Sequence, residues 1–229
     1  MTPDDRLAAL VALSLELGDP ARDYVILSEG NTSARIDERS FWVSASGVRL
    51  AEADREGAFV AVESAPLMAA MRGDADDDAR RILRDAMVGG PDDAGPSIES
   101  FVHAICFELG GVAFVGHTHP TPVNALLSSR AAEAAYTGTL SAEEAARLGP
   151  APVLVPYAEP GLALGRAVLA RFEALLERNG EPPRALLLAN HGLVALGDTP
   201  EEVAAVTETA VKGARIRLGA LAAGGLRFV

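Results

Sequence analysis

Cysteine and lysine are almost missing from this chain, with Cys106 and Lys212 its only examples. A lone cysteine cannot form a disulfide within the chain, and a reduced, cytoplasmic setting is the expectation. Cys106 falls in the apolar stretch from Val102 to Leu109 and reads as a small core residue. Lys212 lies in a helical pattern with a solvated face, which argues against covalent imine chemistry at an active site. Positive charge as a whole is scarce. Twenty Lys and Arg face 32 Asp and Glu, for a formal net charge of −12. No basic face is available to neutralise phosphates, so no nucleic-acid partner is expected. No apolar run approaches membrane-spanning length, and the opening Met1-Thr-Pro-Asp-Asp-Arg6 lacks the pattern of a signal peptide. The expectation is a protein without a membrane partner.

Apolar residues make up 49% of the 229 positions and charged residues 23%, an ordinary globular composition that fits one domain over residues 1–229. Helical spacing runs from Asp4 to Leu17, over 66–71, 79–87 and 97–109, after Thr121-Pro122, from Ser141, over 162–178, and after Thr199. Strand-like pieces lie at 34–36, 41–43, 59–62, 111–116, 153–155 and 184–189. The acidic run 73–78 and the stretch 89–95 read as solvated loops. Strands and helices interleave, which indicates a layered α/β fold.

Three of the four histidines sit in two short motifs, His117-Thr-His119 and Asn190-His191-Gly192. Each follows a short apolar run, Gly111-Val-Ala-Phe-Val-Gly116 and Arg184-Ala-Leu-Leu-Leu-Ala189. Side chains at i and i+2 of a strand share a face, so His117 and His119 aim at one point. A histidine at a strand rim is also often a satisfied core group. The third, in the same strand-end context, makes a three-imidazole set with an open position, as in a catalytic zinc-type site. Zinc, manganese and cobalt all suit three imidazoles.

Glu99 falls in the first turn of the helix that leads towards His117, with His103 four residues later on the same face, where it could pair with Glu99. A carboxylate there can simply meet the helix dipole, or it can move a proton beside a bound metal. Residue spacing leaves both open. Gly30-Asn31-Thr32-Ser33 and Ser46-Gly47 read as small turns able to point N–H groups at an anion, although most such turns are only turns.

Taken in order, Gly-Asn-x-Ser, Ser-Gly, Pro-Ser-x-Glu-x3-His, His-x-His-Pro and Asn-His-Gly resemble the class II aldolase/adducin family over roughly residues 5–215. L-fuculose-phosphate aldolase and L-ribulose-5-phosphate 4-epimerase are its familiar enzymes. The resemblance implies a single-domain α/β/α fold with a central mixed, largely antiparallel sheet. It implies one divalent ion per chain, zinc first, on His117, His119 and His191, with Glu99 as acid/base. Gly30, Asn31, Ser46, Gly47 and Ser97 would hold a substrate phosphate. Ile98 stands where the aldolases carry a second hydroxyl. A tyrosine from a neighbouring subunit serves the aldolases, and Tyr136 is the candidate here, while Tyr157 fits a structural position. The implied protein is a homotetrameric, metal-dependent lyase of carbohydrate metabolism. It would cleave or form a small ketose phosphate through a metal-stabilised enediolate. Epimerisation, dehydration or decarboxylation of a 3-oxo-acid phosphate on the same scaffold are alternatives, as is a non-catalytic interaction module like the adducin head.

Overall fold

The computed structural model describes residues 1–74, 78–91, 93–149 and 152–229; the centre of the acidic run, 75–77, and residue 92 of the 89–95 stretch lie outside the described residues. In chain order the elements are α1 (Pro3–Leu17), β1 (Asn31–Arg35), β2 (Ser40–Ser44), β3 (Phe59–Glu63), α2 (Ser64–Arg72), α3 (Ala79–Asp85) and β4 (Met87–Gly89). There follow α4 (Ser100–Glu108), β5 (Phe114–Thr118), α5 (Thr121–Leu127), α6 (Ala132–Ala135), α7 (Ala142–Leu148) and β6 (Val153–Val155). Last come α8 (Leu162–Asn179), β7 (Ala185–Leu188), β8 (Gly192–Gly197) and α9 (Pro200–Ala222).

The eight strands form one sheet in the order β4-β3-β2-β1-β5-β8-β7-β6. Every neighbouring pair is antiparallel except β6–β7, so the sheet is mixed and largely antiparallel as expected. The sheet buries both faces. On one side a Cβ at Gly116 would meet Leu17 of α1 and Val203 of α9, and Ser14 of α1 bonds Thr32 of β1. On the other, Phe107 of α4 packs on Phe41 of β2 with ring centroids 4.9 Å apart, and α4 in turn packs on α2 and α8. The helix caps follow ordinary chemistry: Thr2, Ser141 and Thr199 each accept a backbone N–H of the first turn.

Beyond the unexpected short helix α6 and the displacement of β5 from the expected 111–116, four differences stand out. Asn31-Thr32-Ser33 is strand rather than turn, because each polar side chain has a buried partner: Glu99, Ser14 and His103 respectively. Gly192–Gly197 is a central strand, paired to β5 and β7, that follows the Asn-His-Gly turn. The helix expected over 79–87 ends at Asp85 and gives way to β4 at the sheet edge. Helix α4 starts at Ser100, which leaves Glu99 at its N-cap rather than inside its first turn.

Candidate active site

Strand order brings the two histidine motifs together. β5 and β8 are neighbours with His117 opposite Val194, and the β7–β8 turn carries His191 to the same sheet end as His119. Asn190 makes that turn in the left-handed region at φ 53°. Gly192 must be small: a Cβ there would lie 2.5 Å from the Thr118 carbonyl oxygen and about 3 Å from the His117 and His119 rings. Gly30 has φ 71°, and a Cβ on it would lie 2.6 Å from the His117 carbonyl oxygen. Each glycine gives up its side chain so that backbone and imidazole can approach closely.

The result is a cluster of Glu99, His117, His119 and His191 whose ligand atoms all lie within 4.8 Å of one another. His117 Nε2 is 2.9 Å from His119 Nε2, and the Glu99 Oε1 is 3.3 Å from His117 Nε2 and 2.6 Å from His191 Nε2. The His117 Nδ1 donates to the Leu193 carbonyl at 2.9 Å, which fixes the tautomer and turns Nε2 inward. A metal-binding imidazole is commonly held in this way. Two ligand nitrogens about 2.0–2.1 Å from one tetrahedral zinc sit about 3.3 Å apart, a spacing these rings reach with small shifts. The donor set therefore fits a divalent ion, with three nitrogens and one carboxylate converging on one point.

Charge in the cluster is strongly coupled. Burial disfavours the Glu99 carboxylate, but the His117 and His191 imidazoles outweigh it and hold the carboxyl well below its ordinary range. Burial likewise opposes a charged His117, and the facing Glu99 outweighs it and raises the imidazole above its usual value. Burial, then the neighbouring His117 and His191, push His119 down to about 3, so it stays neutral and free to ligate. His103 is also pushed to about 3, first by burial and then by His117.

His103 does not pair with Glu99 directly. The Asn31 amide stands between them, with Nδ2 2.5 Å from the Glu99 Oε2 and Oδ1 2.5 Å from the His103 Nε2. The Asn31 amide, expected at a phosphate, is thus engaged with Glu99 and His103. Ser97 precedes α4 and its hydroxyl accepts the Glu99 backbone N–H at 3.4 Å. Ser46 and Gly47 are exposed at the end of β2, and Ser46 shares a cavity of about 360 Å³ with Ile98, Arg80 and Arg84. Nothing in the motif pattern pointed to the two arginines, which come from α3.

Tyr136 is elsewhere in the structure. Its ring lies under the Arg217 guanidinium at 4.9 Å, its hydroxyl is buried, and burial raises its pKa to about 12. A tyrosine serving a neighbouring subunit must present its hydroxyl at the surface, and within this chain Tyr136 does not. Tyr157 is the exposed one, 56% accessible, with its hydroxyl donating to Glu159. Lys212 is exposed on α9.

A family model described as Class II Aldolase and Adducin N-terminal domain matches residues 8–218. The chain belongs to the class II aldolase/adducin family. Among solved structures, it resembles the N-terminal class II aldolase domain of a conserved protein from Thermoplasma acidophilum at 24% identity, with 92% of each chain covered and a TM-score of 0.69. It also resembles the L-fuculose-1-phosphate aldolase from Thermus thermophilus, at 22% identity, 98% of this chain and 100% of that one covered, and a TM-score of 0.66. A sugar-phosphate aldolase from Thermotoga maritima is similar at 17% identity, with 98% of both chains covered and a TM-score of 0.70. A comparison with curated proteins finds no match. At these identities the structural likeness establishes the class II aldolase fold, and no helix of the described residues is long and apolar enough to cross a membrane.

Proposed function

We propose that this class II aldolase family member is a divalent-metal-dependent lyase that cleaves or forms a small ketose phosphate. The observation that carries the reading is the Glu99 carboxylate held among three imidazoles at a sheet end. A divalent ion on His117, His119 and His191, zinc by donor type, would polarise a ketose carbonyl and offset charge on the adjacent oxygen. Glu99 does the proton work in this reading. It is ionised at neutral pH, and one of its oxygens, Oε1, faces the reacting side while Oε2 is held by Asn31. It takes a proton from the carbon beside the carbonyl in condensation and returns one after cleavage.

The anionic end of the substrate is assigned to Gly30, Ser46, Gly47 and Ser97, of which Ser46 lines a cavity together with Arg80, Arg84 and Asp93. Ile98 removes one hydroxyl from that pocket, and two guanidiniums can replace a neutral donor with stronger charge-assisted bonds. Tyr136 takes a packing role in this reading. A homotetramer is part of it, since exposed Ile26, which lines the cavity beside His119, and exposed Leu27, which lines the adjoining one, would be covered there.

The test is a panel of ketose phosphates and 3-oxo-acid phosphates followed by aldehyde release, carbon dioxide release and isomer analysis. Aldehyde release that Glu99→Gln lowers by at least about a thousandfold, with bound metal retained, supports the reading. Carbon dioxide or an epimer as the sole product would reassign the reaction on the same site, and no turnover of any kind would return the chain to the non-catalytic branch of the family.

A further inference from the structure

We infer that His103 is a positioning residue for Glu99, acting through Asn31 by a hydrogen-bond chain with only one allowed direction. The inference rests on the lyase reading of Glu99. The chain is read from the carboxylate outward. The Asn31 NH2 group lies against Glu99 Oε2 and donates to it, the carboxylate oxygen accepting. The Asn31 carbonyl oxygen then faces His103 Nε2 at 2.5 Å and can only accept, so Nε2 carries the proton. A neutral imidazole has one lone pair left, on Nδ1, and the Ser33 hydroxyl at 2.5 Å donates to it. Reversing any one of these bonds sets two acceptors face to face in a buried site, where such contacts are costly.

The backbone explains why these four groups meet. Asn31 and Ser33 are i, i+2 on β1, on one face and about 6.6 Å apart. Glu99 and His103 are i, i+4, at the N-cap and first turn of α4, about 6 Å apart along its axis. The two spacings match, so strand and helix form two rungs, Asn31 to Glu99 and Ser33 to His103, with Asn31 Oδ1 joining them diagonally. His103 is 1% exposed and touches no group that faces the reacting side among these bonds. Its contribution is to keep the Asn31 amide from flipping, so that Oε2 stays anchored and Oε1 is the oxygen left among the imidazoles to move a proton.

Two measurements on the metal-loaded protein test this. In 15N-histidine NMR, His103 should remain neutral with Nε2 protonated across the neutral pH range; protonation on Nδ1 overturns the inference whatever the enzyme's reaction proves to be. In kinetics, His103→Leu should lower kcat by about a hundredfold while KM changes less than about threefold and metal content is kept. His103→Gln, whose side-chain amide can still donate to Asn31, should recover most of that loss. Equal loss in both variants, or a loss confined to KM or to bound metal, overturns it. A wild-type chain without lyase activity would defeat the proposed function, and the NMR result would still decide the chain of donors.

Discussion

His103 illustrates how much a single buried group can set. Its folded-state pKa of about 3 lies below the ordinary 6.5, chiefly through burial. The unfolded chain therefore binds a proton that the folded chain refuses. Its contribution to stability is complete above pH 6.5 and is lost as pH falls from there towards 3, by up to about 1.4 kcal/mol per pH unit. Metal-free wild type and His103→Gln compared by urea unfolding at about pH 7 and about pH 5.5 should show a smaller acid loss in the variant, and equal losses would contradict the assignment. Gly192 acts by absence. Because a Cβ would meet the Thr118 carbonyl at 2.5 Å, Gly192→Ala must displace the turn or the rings. The expected result is at least about a tenfold loss of zinc affinity in a competition titration, in the range that misplacing a ligand's supports produces. Unchanged affinity would mean that the turn yields without moving the histidines.

Among elements, the sheet's apolar strands were legible where β-branched and aromatic residues dominate, as in β3 and β5. Of β1 only the end was legible, in the strand-like piece at 34–36, since Asn31, Thr32 and Ser33 look like a turn until their partners on α1 and α4 are known. β8 was missed because Gly192 and Gly197 bracket a run that reads as the approach to α9. The three histidines were legible as a chemical set because strand ends force their direction, whereas spacing left Glu99 open and only the family resemblance gave it a role. The arginines of α3 were not legible, because they come from a surface helix without a motif. A second hidden feature is the buried pair of Arg217 on α9 and Glu144 on α7, in which Arg217 also donates to the Ala135 and Gly138 carbonyls. One guanidinium thus joins three short segments. Arg217→Ala leaves a buried carboxylate without its cation and should cost about 3–5 kcal/mol, seen as a large drop in melting temperature. A loss under about 1 kcal/mol would show that the pair is not what fastens these helices.

At the scale of the whole molecule, the sheet joins both halves of the sequence. β1 from the N-terminal part pairs with β5, and β5 with β8 from the C-terminal part, so the site lies where the two meet. Exposed Ile26 and Leu27, at 62% and 69%, stand out on a surface otherwise rich in acid. If the proposed tetramer covers them, Leu27→Asp should lower the mass in light scattering towards that of a single chain, while an unchanged mass would place the interface elsewhere. The central claim is that three imidazoles hold one cation, and metal content per chain tests it most directly. After loading with zinc and dialysis, the account predicts about one ion per chain in wild type and well under about 0.1 in His117→Ala and His191→Ala. A wild-type chain that retains no ion, or variants that retain as much as wild type, would contradict it.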